Sequence, residues 1–239
     1  MSETPVRWIA AGAAGQAALL AALHAWVGLA PSAWAAGSLY TLVGACLLGW
    51  AAHGRGLGPA DAVTTMRAVL VGGVVALAAQ GGPAWPLVAL AALALALDLV
   101  DGLVARRTGT ATAFGARYDM EVDAFVLVVL GVHVAADLGA WVLLVGAARY
   151  VFWAASVPWP WLAAPLPERR SRKVVAAVQG VALVAAAAPV VPAPAAAALV
   201  GSALAALVWS FGRDVRWLLV RHRARGRGPA GAVQGLLRG

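Results

Sequence analysis

Apolar runs, each about as long as a bilayer crossing, follow one another along the chain, and short polar or proline-rich breaks divide them. They predict spanning helices over roughly 8–30, 36–53, 62–80, 84–104, 118–136, 139–157, 174–188 and 193–212. Helices are expected because a backbone in lipid must satisfy its own hydrogen bonds. The fold class expected is therefore all-α, a polytopic membrane helical bundle. The stretch holding Pro158, Pro160, Pro165 and Pro167 is too rich in proline for a helix and reads as a hinge. The last two segments, rich in Ala and Val, read as packing helices whose small residues let backbones approach.

Composition agrees. Of 239 residues, 62% are hydrophobic and 12% charged, and the mean hydropathy is +0.83. A water-soluble domain of this size has no interior for so much apolar surface. Eighteen basic residues face ten acidic ones. Arg55 and Arg67 flank the break between the second and third segments, Arg106, Arg107, Arg117, Arg169, Arg170, Arg172 and Lys173 fall in the alternate breaks after it, and the stretch Arg213 to Arg227 follows the last segment. The intervening breaks (31–35, 81–83, 137–138, 189–194) hold no Lys or Arg. This alternation predicts both termini and all charged loops on the cytoplasmic side of a plasma (inner) membrane. No aromatic-basic module accompanies the charge, so nucleic acid is not an expected partner. Arg221 to Arg227 read as a mobile basic end near lipid headgroups. Arg7, the apolar run after it and Ala33-Trp34-Ala35 resemble a cleavable signal peptide. The run is long for one and contains His24, so it is read as a retained span. Cys46 stands alone, and His24, His53, His133 and His222 have no metal-ligand spacing.

Half of the ten acidic residues lie between positions 98 and 123. Ionised carboxylates are costly near lipid, so the clustering points to function. Asp98 and Asp101 are three apart at the cytoplasmic end of the fourth segment. Asp119 and Asp123 are four apart at the start of the fifth. Both spacings place a pair on one helix face. The short connection predicts antiparallel neighbours whose carboxylates face each other. Four such groups repel without cations, and hard divalent ions suit oxygen donors. Two ions, Mg²⁺ or Mn²⁺, suit displacement at phosphorus. Gly102 and Ala105 share the face of the first pair and leave room for a ligand, and Arg106 can contact phosphate. Glu121 stands two residues from each of Asp119 and Asp123, off their face, and reads as supporting. Glu168, Asp137 and Asp214 read as solvated charges.

Residues 101–123 match D-G-x2-A-R-x8-G-x3-D-x3-D at every fixed position, and Asp98 adds an upstream aspartate. The stretch resembles the signature of the CDP-alcohol phosphotransferase (CDP-alcohol phosphatidyltransferase) family. Pro59 to Arg67 is similar to that family's P-N-x-x-T-x-x-R opening, with Asp61 at the Asn position, one extra residue after the proline, and Thr64 and Arg67 in place. The resemblance implies a six-helix core over residues 57–214. It leaves an extra N-terminal transmembrane helix pair (1–56) and a basic cytoplasmic tail (215–239).

Site roles are likewise implied by the resemblance. Asp98, Asp101, Asp119 and Asp123 would hold two metal ions, with Asp123 also the general base. Thr64, Gly102, Ala105, Arg106 and Gly115 would line the CDP site. Arg149, Arg172 and Lys173 would bind the acceptor. Ser171-Arg172-Lys173 followed by Gln179 resembles the family's G-K-x-K-T-x-x-Q stretch, with Val175 and Ala176 replacing the second Lys and the Thr. Expected partners are a CDP-lipid donor, a small alcohol or polyol-phosphate acceptor (glycerol 3-phosphate or an inositol phosphate), the bilayer and a second copy in a homodimer. Two other readings compete. A cation transporter or channel would need aspartates near mid-membrane. A catalytically inactive family member would not need the intact aspartate set.

Overall fold

A computed structural model describes residues 5–51, 59–81, 84–108, 112–167 and 169–226. The side chains of 99–108 are outside that description. The described residues form eight α-helices: α1 (Pro5–Val27), α2 (Pro31–Ala51), α3 (Pro59–Gln80), α4 (Ala84–Thr108), α5 (Ala113–Leu138), α6 (Leu143–Ser156), α7 (Arg170–Ala186) and α8 (Ala193–Gly226). Short 3₁₀ turns precede α6 (Ala140–Val142) and follow it (Pro160–Ala163). Among the described residues, four helices are long and apolar enough to cross a bilayer: Val6–Val27, Pro31–Trp50, Asp61–Gln80 and Ala193–Ala224. The fold is all-α, and the chain is an integral membrane protein.

Local chemistry sets the helix ends. Pro5, Pro31 and Pro59 open α1, α2 and α3, where the missing N–H would have no partner and the fixed φ suits the first turn. Gly28 (φ 69) and Gly139 (φ 96) close α1 and α5. Their N–H groups donate to the carbonyls of His24 and Ala135 at 2.9 Å, a left-handed cap that glycine adopts without strain. Hydropathy alone does not see these signals, so α1 lies three residues earlier than the apolar run suggests.

The larger difference is α8. Apolarity ends near Gly212, but the helix continues to Gly226. Thirty-four residues extend about 51 Å, well beyond a hydrocarbon core of about 30 Å. Residues 215–226 are therefore helical, and the expectation of a mobile end from Arg221 does not hold as far as Gly226. Leu218 is buried against the segment after α6, and the His222 ring stacks on Trp161 at 5.8 Å. These contacts hold the extension against the proline-rich stretch, part of which coils into its own 3₁₀ turn.

α3 is the hub. It packs against α1, α2, α4 and α5. Val71, Val74, Ala76 and Leu77 of α3 are essentially inaccessible. Among the described residues, α4 and α5 each pack closely on this helix. α6 lies on α5, and α7 packs on α8, α5 and α4.

Small residues set these distances. A Cβ on Gly146 of α6 would lie 2.8 Å from the Val128 backbone of α5, whereas one on Gly201 of α8 would meet nothing within 4 Å. Gly146→Leu should therefore lower the thermal midpoint, at a cost of about 1–3 kcal/mol, while Gly201→Leu leaves it near wild type. Thermal unfolding in detergent reads the difference, and equal midpoints would contradict the close α5–α6 packing.

Candidate metal centre

One face of α3 carries the first half of the site. Asp61, Thr64 and Arg67 recur every three residues and are 4%, 3% and 1% exposed, so they line one stripe. Arg67 Nε donates to the Ala94 carbonyl of α4 at 3.1 Å. Its Nη1 reaches Asp98 Oδ1 at 3.2 Å and also pairs with Asp119. Its Nη2 pairs with Asp123. Asp119 and Asp123 stand one turn apart on α5, and Asp98 stands one turn beyond Ala94 on α4. A planar fork of five donors thus reaches two helices at once, which the point charge of a lysine would not do.

The three carboxylates converge. Asp98, Asp119 and Asp123 each offer an oxygen, and these oxygens all lie within 4.8 Å of one another. Their side chains are 37%, 32% and 37% exposed, against 2% for Arg67. The guanidinium is thus the enclosed member of the group, and the carboxylates keep an open side. The four groups sum to two negative charges, three carboxylates against one guanidinium. An all-oxygen donor set with residual negative charge and an open face fits a hard divalent cation. The aspartates can coordinate such an ion.

The first turn of α5 is fitted to α3. Thr112 caps it, its Oγ1 accepting from the Gly115 N–H at 2.8 Å. A Cβ on Gly115 would lie 2.6 Å from Asp61 Oδ1. Only glycine lets the turn come this close to the buried Asp61, so Gly115 has a packing role whatever else it touches.

The remaining expected site residues stand on other helices or fall outside the description. The side chains of Asp101, Gly102, Ala105 and Arg106 lie outside the described residues. Arg149 pairs with Glu121 at 2.5 Å and touches the Met120 sulfur at 3.8 Å; it stands on the α6 side of α5. Arg172 and Lys173 sit in the first turn of α7. Lys173 is exposed. Arg172 donates to the Pro167 carbonyl and lies 3.5 Å from Asp214.

Two residues gain a place that sequence reasoning did not give them. Arg67 entered only as a motif position, yet it organises the carboxylates. Asp214, read as a solvated charge, is 6% exposed. The signal available for it was a single acid among the arginines that follow Gly212.

The sequence model of one family, CDP-alcohol phosphatidyltransferase, matches residues 58–211. That segment holds all three converging aspartates together with Thr64 and Arg67. No curated protein and no solved structure matches the chain significantly.

Removing the guanidinium leaves carboxylates facing one another. Arg67→Gln should destabilise the metal-free protein by about 3 kcal/mol, the lower end for a broken buried pair, because the carboxylates are a third exposed. Mn²⁺ should then raise the thermal midpoint of the variant more than that of wild type. Equal midpoints and equal Mn²⁺ shifts would contradict the role of Arg67 as counter-charge.

Proposed function

Because this chain belongs to the CDP-alcohol phosphatidyltransferase family, we propose that its aspartate centre transfers a phosphatidyl or related phospho-lipid group from CDP-diacylglycerol, or a similar CDP-alcohol, to a polyol phosphate. CMP is the other product. The transfer reaction and the CDP-alcohol donor follow from family membership and the aspartate cluster, and the membership displaces the transporter reading. The observation that carries the proposal is the convergence of Asp98, Asp119 and Asp123.

In this reading Asp98, Asp101, Asp119 and Asp123 would hold two divalent ions, Mg²⁺ or Mn²⁺. Bound there, such ions neutralise the diphosphate and acidify the acceptor hydroxyl. Asp123 takes the hydroxyl proton. The freed oxygen attacks the β-phosphorus, a new P–O bond forms, and the bond to the bridging oxygen breaks, releasing CMP. Arg67 holds Asp119 and Asp123 in place from behind. Thr64, Gly102, Ala105, Arg106 and Gly115 line the CDP site.

The acceptor is a glycerol or inositol phosphate, held by Arg172 and Lys173 at the start of α7 and by Arg149. Asp214 supports this, since a paired carboxylate holds the Arg172 side chain in one direction. Residues 57–214 form the six-helix core, 1–56 the added helix pair and 215–239 the basic C-terminal region. The site and both termini face the cytoplasm of a plasma (inner) membrane, where CDP and polyol phosphates are found. The protein acts as a homodimer.

The proposal is tested by CMP release from purified protein with CDP-diacylglycerol, a panel of alcohols and Mg²⁺ or Mn²⁺. Release that depends on both acceptor and metal is expected. Asp123→Asn should abolish it, a loss of at least about 100-fold, while largely sparing CDP-lipid binding. Equal loss of turnover and binding would remove Asp123 from the role of base. Arg172→Ala should raise the KM for the acceptor more than that for the CDP-lipid, and an unchanged acceptor KM would reduce the basic cluster to an orientation signal.

A further inference from the structure

The family match begins at residue 58, so α1 and α2 lie outside it, yet both pack against α3. Apolar helices gain little by association in lipid, because the surrounding tails are just as apolar. A specific pairing therefore needs close backbone approach or polar contacts, and both occur here. A Cβ on Gly72 of α3 would lie 2.2 Å from Gln16 Oε1 of α1, and one on Gly37 of α2 would lie 3.0 Å from Leu20 of α1.

The polar contact falls next in sequence to residues of the metal centre. Tyr40 of α2 donates its hydroxyl to the Ala68 carbonyl of α3 at 3.0 Å, one residue after Arg67. Its ring stacks on Phe125 of α5, with centroids 5.3 Å apart and planes at 27°, two residues after Asp123. One side chain therefore touches both helices next to the residues that form the Arg67–Asp123 pair. A hydroxyl in lipid is costly without a partner, which makes this attachment directional. A second contact joins the helix pair to α5: Trp8 and Ile9 of α1 and Phe114 and Tyr118 of α5 pack against Leu48 of α2.

We propose that the N-terminal helix pair braces the catalytic centre, and that Tyr40 is the positioning residue that ties α3 to α5. The tie fixes how far Arg67 stands from Asp119 and Asp123, and so the geometry these carboxylates present to a divalent ion and a diphosphate. This rests on the reading of the aspartates as the catalytic centre.

The test uses the full-length protein with Tyr40→Phe, Tyr40→Leu and Asp123→Asn, measured side by side. Three quantities are read: kcat, the Mn²⁺ concentration giving half-maximal rate, and the Mn²⁺-induced rise in thermal midpoint. Tyr40→Leu loses both hydroxyl and stack, and should lower kcat on the order of tenfold, raise the Mn²⁺ requirement and shrink the Mn²⁺-induced rise. Tyr40→Phe keeps the stack on α5 but loses the hydrogen bond to α3, and should shift all three quantities in the same direction as Tyr40→Leu by a smaller amount, with kcat lowered about threefold. If Tyr40→Leu does not fold, Phe125→Leu removes the stack from the other side and takes its place. A lower thermal midpoint with wild-type kcat and Mn²⁺ requirement would make Tyr40 merely structural and overturn the proposal. Activity persisting in Asp123→Asn would instead overturn the catalytic reading itself.

Discussion

A single buried guanidinium holds this molecule's chemistry together. Arg67 is 1% exposed, in a chain whose surroundings are largely apolar. An arginine in such a place needs compensating charge, and three aspartates from two other helices supply it. The dependence runs both ways, since carboxylates crowded within 4.8 Å repel one another unless positive charge stands among them. The position of α3 follows from this mutual need. It lies against both α4 and α5 because its arginine must reach Asp98 on one and Asp119 and Asp123 on the other.

The rest of the bundle serves that placement. Gly115 lets the start of α5 settle against Asp61, and Gly146 lets α6 lie flush on α5. Tyr40 reaches across from α2 to the backbone of α3 and the ring of Phe125. A second charged cluster, Arg172 with Asp214, joins the start of α7 to α8. Enclosed positive charge and half-open negative charge leave a centre that still attracts a divalent cation from its open side.

Much of this was legible in the sequence, for reasons specific to each element. The apolar runs announced the helices because lipid imposes length and hydropathy directly. The aspartates were legible because their three- and four-residue spacings fix a face within one helix. Spacing within a helix says nothing of which helix lies opposite, so α3 as the intermediary between α4 and α5 was not visible. Arg67 matched a motif position, but its partners lie 31 to 56 residues away in sequence, and only the packing brings them to it. The extension of α8 was missed because hydropathy reports where lipid ends, not where a helix ends. Asp214 was misread for the same reason, as a charge past the apolar boundary, although the helix there is still packed against α7.

The most direct measurement is anomalous diffraction at the manganese edge from crystals of the full-length protein grown with Mn²⁺. A peak is expected on the open side of Asp98, Asp119 and Asp123, with their carboxylates as ligands and Arg67 remaining on the enclosed side. A map with no manganese there, or a structure in which the three carboxylates point away from one another, would contradict the role given to this centre.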